Sequence, residues 1–206
     1  MKNFRTVLIT VLISFTCNIL FAASPLIKAS FYEAYQSNEI VQYVEERGMF
    51  DGRVAAFLMD ENVTLGEKAA VINALPWNEN NKESVNTFKM FLGRNYGVGY
   101  ESLKLNDLSG DELLCLGYMM LLDENIEISE AQGVLELSIE KNTKSYVTNL
   151  IYALSSAQVH IDASQDCDAW TLCNSIRTDA AFTKDINDQA IGLIFQEVDV
   201  YKSACN

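Results

Sequence analysis

Apolar residues recur along most of the chain at intervals of three or four positions, with polar residues between them. This spacing places the apolar side chains on one face of an α-helix. In the segment "NKESVNTFKMFLGRNYG", for example, Val85, Phe88, Phe91 and Leu92 fall on one stripe, and glycines follow it. No stretch shows the sustained alternation of apolar and polar positions that is typical of a half-buried β-strand. The pattern therefore predicts an all-α fold.

Helix start signals precede several of these patterns. In a capping box, a Ser or Thr hydroxyl and a Glu or Gln side chain three residues later each satisfy a free backbone amide. The sequence predicts three such boxes, which begin at Thr64, Ser109 and Ser129. Pro76 predicts a helix end near Leu75, because proline disfavours helical geometry in the residue before it.

Two stretches of the chain repeat each other at an offset of 63 residues. "FLMDENVTLGEKAAVI" begins at Phe57 and "MLLDENIEISEAQGVL" begins at Met120, so that Asp60 corresponds to Asp123. With one residue deleted, the match continues through the next helical pattern, up to Leu154. The correspondence covers two helical hairpins of about 31 residues each, and repeats of that length stack into solenoids. We expect stacked helical hairpins (an α-solenoid) with Asp60 and Asp123 in the same turn. A non-repeat helical bundle is the alternative.

The second copy carries a more specific pattern, which is best developed over residues 111–145. The residues that carry it are Leu116, Gly117 and Tyr118 in a first helix and Ala131, Leu135 and Ser138 in a second. This segment resembles a tetratricopeptide repeat, although that family prefers alanine in place of Ser138 and proline in place of Thr143.

A solenoid of such repeats offers a concave surface lined by the first helix of each hairpin, on which a partner binds. Candidate residues on this face are Tyr118 and the offset-matched pair Asn86 and Asn149. Ordinary polar surface, or hydrogen bonds between helices, is the alternative role for each of them.

The chain begins with a basic, then an apolar, then a small-residue segment, "MKNFRTVLITVLISFTCNILFAAS". This is the layout of a secretory signal peptide over residues 1–23, with cleavage just before or just after Ala23. An uncleaved membrane anchor is the alternative, but Cys17 and Asn18 interrupt the apolar run before it reaches the roughly 20 residues of a spanning helix. We expect residues 24–206 to form a single all-helical domain that is periplasmic or secreted.

The charge of the chain favours some partners over others. The full sequence has a net charge of −13. Removal of residues 1–23, which hold two basic and no acidic residues, leaves 13 basic against 28 acidic residues, a net charge of −15. Such a surface repels nucleic-acid backbones and anionic lipid headgroups. We therefore expect no nucleic-acid partner and no membrane association after cleavage, and a protein or peptide partner, for which a basic surface is one option. Solubility of an exported protein is the favoured explanation of the acidic charge.

His160 is the only histidine in the sequence. A hydrolase would use His160 as general base, Asp162 to orient it, and Ser156 or Ser164 as nucleophile. No recognised nucleophile motif surrounds these residues, so an enzyme is the less favoured hypothesis. The spacing of cysteines and acidic residues matches no zinc or calcium motif, and we expect no metal and no cofactor.

Four cysteines remain after removal of residues 1–23. Cys115 lies in the apolar segment "ELLCLGYMM" and is expected to be a buried free thiol. Cys167 and Cys173 would be about 9 Å apart on one helix, at roughly 1.5 Å rise per residue, which is too far for a disulfide. Antiparallel packing of the last two helices would bring Cys205 to Cys167. The favoured disulfide is therefore Cys167–Cys205, and Cys167–Cys173 is the alternative if the helix breaks between them.

These observations predict an exported helical-repeat protein that binds a peptide or a protein. An inhibitor or immunity-type protein, small, acidic and exported, is the sharper form of this hypothesis. A hydrolase that uses His160 is the alternative from a different functional class.

Overall fold

The predicted helices are present in a computed structural model of the chain, which describes residues 26–78, 81 and 83–205. The predicted signal peptide lies outside the described residues. Within them the chain forms nine α-helices and no β-strand beyond one isolated bridge. The helices are α1 (Glu39–Arg47), α2 (Gly52–Met59), α3 (Leu65–Ala74), α4 (Ser84–Asn95), α5 (Gly110–Leu122), α6 (Ile128–Lys141), α7 (Tyr146–Asp162), α8 (Asp166–Thr178) and α9 (Asp188–Val198). The predicted all-α fold is confirmed.

Short 3₁₀-helices flank or connect the α-helices within the described residues. They are Phe31–Tyr35, Tyr100–Ser102, Leu105–Asp107 and Asp199–Cys205. Helix α3 ends before Pro76, as predicted, because Leu75 takes an extended conformation.

Helix starts follow local side-chain chemistry. Thr64 and Ser109 form the predicted capping boxes at α3 and α5. The predicted box at Ser129 is wrong, because α6 already begins at Ile128 and Ser129 is inside the helix. At the 63-residue offset, Glu127 stands where the first copy has Thr64, and it makes no side-chain cap bond. Its carboxylate still lies near the positive end of the helix, which favours a negative charge.

The repeat in the sequence corresponds to a repeat in the order of elements. Helices α2, α3 and α4 are followed by α5, α6 and α7, and at the offset the end of the first helix and the starts of the next two coincide. Helix α3 begins at Leu65 and α6 at Ile128, which is the offset of 63 residues. Helix α4 begins at Ser84 and α7 at Tyr146, which is the offset after the one-residue deletion.

The two copies also share the turn at the end of their first helix. Asp60 Oδ1 accepts hydrogen bonds from the backbone N–H and the side-chain amide of Asn62, both at 2.9 Å. Asp123 Oδ1 accepts the same two bonds from Asn125, at 3.0 and 2.9 Å. The prediction that Asp60 and Asp123 occupy the same turn is therefore confirmed. Superposition of the complete hairpins stays a prediction.

Packing beyond this turn departs from a simple stack of repeats. In a solenoid each repeat contacts only its neighbours. Here α9, near the end of the chain, packs on the 3₁₀-helix Phe31–Tyr35 near its beginning. The backbone N–H of Asn187 donates to the Tyr35 hydroxyl at 2.8 Å, and Gly66 N–H donates to the Asp185 carbonyl at 3.0 Å. The solenoid is therefore not confirmed, and contacts between early and late segments fit the bundle alternative.

Helix α5 lies at the centre of the core, and every residue in it except Asp111 is buried. A helix that is apolar around its whole circumference is suited to such a position. Small residues allow α6 to approach it closely. A Cβ on Gly117 would lie 2.8 Å from Leu135 side-chain atoms. Near the start of α5, the Ser138 hydroxyl donates to the Gly110 carbonyl at 2.7 Å.

Candidate functional site

The residues predicted to line a binding face lie on three different helices, α4, α5 and α7. Tyr118 is only 2% exposed, so its predicted place on an open face is corrected to the core. Its hydroxyl donates to the Ile27 carbonyl at 3.4 Å and accepts from the Asn73 side chain at 3.1 Å. Burial raises the pKa of Tyr118 far above its usual range. Hydrogen bonding between elements, the alternative role, is the one that the structure shows for Tyr118.

The two asparagines of the predicted face differ from each other. Asn86 is exposed, and its side-chain amide donates to Glu83 at 3.2 Å. Asn149 is half-buried, and its amide donates to the Ser145 carbonyl at 2.7 Å, within the first turn of α7. Binding through either residue stays a prediction.

The side chains of the hydrolase hypothesis are close in sequence but bonded to other groups. His160 Nδ1 pairs with Gln165 Oε1 at 2.8 Å. Asp162, the expected orienting group, accepts instead from the Gln158 side chain at 2.6 Å. Ser164 is exposed and has a left-handed backbone, with φ of 59°. This arrangement gives the hydrolase alternative no geometric support.

The predicted disulfide between Cys167 and Cys205 is present. It joins the first turn of α8 to the last residue of the 3₁₀-helix Asp199–Cys205. Cys173 is a buried free thiol, so the alternative Cys167–Cys173 pairing is not formed. Cys115 is also buried and free, as predicted. Burial raises the pKa of each free thiol to about 12, so both stay protonated at neutral pH.

The described residues contain neither a metal-binding cluster nor a helix suited to a bilayer. No cluster of three or more His, Cys, Asp or Glu side chains is placed to hold a metal ion there. Over the same residues, no helix combines the length and the apolar character needed to cross a bilayer.

One concave site lies beside Trp77, and we call it the Trp77 cleft. It consists of two cavities, of about 90 and 170 Å³, that share Trp77 and Leu122. Residues 123–125, the turn between α5 and α6, line the first cavity. Lys28 and Leu75 are part of the lining of the second. The cleft therefore lies between the turn that the two copies share and the loop after α3.

Local hydrogen bonds hold the loop that carries Trp77. The buried Asn81 side chain donates to the carbonyls of Gly48 at 2.9 Å and Pro76 at 2.8 Å. The Trp77 indole N–H donates to the Ile72 carbonyl at 3.1 Å. These bonds fix the plane of the indole ring at the wall of the cleft.

Among the described residues, the charged groups that line the cleft are Lys28, Asp123 and Glu124. The Lys28 ammonium lies 2.8 Å from Glu124 Oε1, and both side chains are partly exposed to solvent. Asp123 is 7% exposed, and its Oδ1 atom is held by Asn125 as described above. The lining of the cleft thus combines polar residues with the buried Leu75 and Leu122.

A second concave surface, the Met90–Tyr100 groove, lies where α4 ends. It is an open groove of about 460 Å³ lined by Met90, Arg94, Gly97, Val98, Gly99 and Tyr100. The loop folds back on α4 because the Val98 N–H donates to the Gly93 carbonyl at 2.8 Å. A side chain at Gly93 would lie 2.9 Å from the Val98 carbonyl, so this return requires glycine. Gly97 adopts a positive φ of 69°, which glycine accommodates without strain.

Sequence reasoning did not identify either surface. The segment "GRNYGVGY" predicts a flexible connector, whereas its Val98 and Tyr100 form an exposed apolar surface with Met90. The signal available was the presence of large apolar residues between glycines in a loop. Lys28 and Trp77 carry no comparable signal, because they are distant in sequence from the turn that they meet.

Comparison of the chain with protein-family models, with curated proteins and with solved structures found no match. The helical architecture is compatible with the tetratricopeptide resemblance, and no family assignment supports it further.

Proposed function

We propose that the protein is an exported helical-repeat module that binds a protein or peptide partner through the Met90–Tyr100 groove. The observation that carries this proposal is the concentration of exposed apolar side chains at the groove. Among the described residues, seven large apolar residues are exposed, and four of them lie between positions 90 and 100. They are Met90 at 55%, Tyr96 at 39%, Val98 at 41% and Tyr100 at 47% exposure.

A local concentration of exposed apolar side chains favours binding. Single exposed apolar residues are common on soluble proteins, but clusters mark interaction sites. The groove volume of about 460 Å³ lies in the range of roughly 300–1,000 Å³ that ligand sites occupy. Tyrosine and methionine are also enriched at protein interfaces, because they offer large contact areas.

The loop that carries part of the groove is tied to the rest of the fold. The Tyr96 hydroxyl donates to Glu112 Oε2 at 2.6 Å, which ties the loop to the start of α5. Burial and this carboxylate raise the pKa of Tyr96 to about 12, so the hydroxyl remains a donor at neutral pH. A pre-formed surface binds with a smaller loss of conformational entropy than a flexible one.

Export is part of the proposal and rests on two features. The first is the signal-peptide layout of residues 1–23. The second is the Cys167–Cys205 disulfide, since disulfides persist mainly in oxidising compartments. The excess of acidic residues favours a basic partner by long-range attraction, as expected of an inhibitor or immunity-type protein.

The test compares two matched double variants of the mature protein. Met90→Asp/Val98→Asp places two charges in the groove, whereas Val159→Asp/Val200→Asp places two charges at exposed positions elsewhere. Each protein is immobilised, exposed to the exported proteins of its own host, and the captured proteins are quantified by mass spectrometry. We expect the groove variant to capture at least about tenfold less of a specific partner, because central apolar contacts dominate binding energy.

Equal capture by both double variants would contradict binding through the groove. A His160→Ala variant is included in the same experiment, and we expect it to capture the partner as the wild type does. Circular dichroism of each variant confirms that its helix content is retained.

A further inference from the structure

We infer that the Trp77 cleft binds a primary ammonium group on an alkyl chain, the chemistry of a lysine side chain of the partner. The inference deepens the proposed function and rests on it, because it names a basic side chain that the partner presents. It concerns a different surface from the Met90–Tyr100 groove.

The apolar part of the cleft suits the alkyl part of such a ligand. Leu75 and Leu122 line the second cavity and are buried. The Trp77 indole, held by the Ile72 carbonyl, forms the shared wall of both cavities. Tryptophan is the aromatic side chain that attracts a cation most strongly over its ring face.

The polar residues of the cleft suit the ammonium group of such a ligand. Glu124 and Asp123 bring two carboxylates to one side, and the side chains of Asn78 and Asn125 also line it. The Asp123 carboxylate is held in a fixed turn by Asn125, so it does not have to be ordered when a ligand binds. Partial burial strengthens the attraction between such a carboxylate and a cation.

The protein already places one ammonium group at this site. Lys28 lines the cleft, and its Nζ atom lies 2.8 Å from Glu124 Oε1. The backbone of Lys28 is anchored because Leu26 and Ile27 on its N-terminal side are buried. The observed ion pair therefore shows the kind of group that the site accepts. Because partly exposed ion pairs contribute little stability, an incoming ammonium can replace Lys28.

The volume of the cleft limits the size of the ligand. Sites for whole small molecules occupy roughly 300–1,000 Å³. Cavities of about 90 and 170 Å³ instead match a single side chain. Lys28 is then an internal competitor, and its removal should improve binding.

The experiment titrates the isotope-labelled mature protein with small probes and follows the indole N–H resonances by nuclear magnetic resonance. The probes are N-acetyl-lysine methylamide, its neutral analogue N-acetyl-norleucine methylamide, and free diaminopentane. The chain has two tryptophans, so Trp170, which is bonded to Asp199, is an internal reference. We expect the lysine probe to shift the Trp77 resonance with saturation and the norleucine probe to leave it unchanged.

Three variants sharpen the test. Lys28→Met should lower the Kd of the lysine probe by about three- to fivefold, because it removes the competing ammonium. Glu124→Gln should raise that Kd by about fivefold or more. Glu61→Gln is the matched control, since Glu61 occupies the equivalent position in the first copy of the turn. It should leave the Kd of the lysine probe unchanged.

Equal shifts by the lysine and norleucine probes would overturn the inference, as would weaker binding by Lys28→Met. Binding of diaminopentane without binding of the lysine probe would overturn the assignment to a partner's side chain. Because this titration uses no partner protein, a negative result in it can be distinguished from a negative result in the capture experiment on the Met90–Tyr100 groove. If the groove does not bind a partner, the lysine probe should still shift the Trp77 resonance.

Discussion

Gly117 and Gly133 both lie inside helices, yet their surroundings are opposite. A Cβ on Gly117 would lie 2.8 Å from the Cδ2 and Cγ atoms of Leu135 and 3.2 Å from its backbone nitrogen. A Cβ on Gly133 would meet no atom within 4 Å. The first glycine is therefore required by the contact between α5 and α6, and the second is not.

We expect Gly117→Ala to lower the free energy of unfolding by about 1–3 kcal/mol, the usual cost of overpacking a core. Gly133→Ala should raise it by up to about 1 kcal/mol, because alanine has the higher helix propensity. Urea unfolding of both variants, followed by circular dichroism, measures the difference. Similar changes in the two variants would show that α5 and α6 are not in close contact at Gly117.

For individual residues, the sequence predicted on which face of a helix a side chain lies better than it predicted which side chain it contacts. The residues that carry the tetratricopeptide resemblance, among them Gly117 and Leu135, do meet between α5 and α6. Tyr118 was placed on an open surface, but it stacks against Phe31 with ring centroids 6.3 Å apart. Periodicity cannot reveal this contact, because Phe31 is far away in the sequence.

Among the helices, the end of the chain is held by a group of side chains around Asp199. The Arg177 guanidinium binds both Asp199 carboxylate oxygens at 2.9 Å, and the Trp170 indole N–H donates to one of them at 3.0 Å. The guanidinium also lies over the Phe195 ring, 4.2 Å from its centroid. The hydrogen bonds from Arg177, followed by that from Trp170, lower the pKa of Asp199, while burial opposes them. These contacts join α8 to α9 and the last 3₁₀-helix.

This lowered pKa predicts a dependence of stability on pH. Because the folded-state pKa is below the unfolded value of about 3.9, the contribution is present above that value and is lost as pH falls through the folded pKa. The Asp199 side chain is 43% exposed, so we expect about 1 kcal/mol or less. Asp199→Asn should lower the free energy of unfolding at pH 7. Below pH 4 the free energies of unfolding of the variant and the wild type should differ less.

Thermal unfolding of the wild type and of Asp199→Asn across this pH range measures the difference. Asp188→Asn is the control, because its pair with Lys184 is far more exposed. A constant gap between Asp199→Asn and the wild type at all pH values would contradict the expected linkage.

The turns and ends of the helices were the most predictable elements. The Asp60 and Asp123 turns and the boxes at Thr64 and Ser109 depend on residues within three positions, so sequence identifies them. The box at Ser129 was wrong because helical patterns fix a boundary only to within a residue or two.

For the molecule as a whole, one covalent link supplements the packed core. The Cys167–Cys205 disulfide spans 38 residues, and it encloses α8 and α9. We expect Cys205→Ser to lower the free energy of unfolding by about 3–4 kcal/mol, the value for a loop of this length on the chain-entropy model. A reductant should destabilise the wild type by a similar amount and leave Cys205→Ser unchanged.

Urea unfolding with and without dithiothreitol measures both effects. Cys115 and Cys173 are free thiols, so neither offers a second described disulfide for the reductant to cleave. If reductant destabilised Cys205→Ser as strongly as the wild type, another disulfide would have to be present.

The overall arrangement of helices could be predicted only in part. The all-α class follows from periodicity. The disulfide was predicted from antiparallel packing of the last two helices, whereas Cys205 lies in the 3₁₀-helix Asp199–Cys205, which packs on α8. The contact between α9 and Phe31–Tyr35 has no local signature, because it depends on how all the intervening helices pack. The Trp77 cleft and the Met90–Tyr100 groove also have no local signature in the sequence, since both are formed by the placement of loops.

The contact between Phe31–Tyr35 and α9 also has a consequence for biosynthesis. The hydrogen bond between Tyr35 and Asn187 spans 152 positions, so Phe31–Tyr35 can pack on α3 during synthesis but has to wait for its contact with α9. Contacts between distant parts of a chain form slowly even after synthesis, because a long loop must close first. Until α9 has been made, the side of Phe31–Tyr35 that α9 covers therefore stays exposed to solvent.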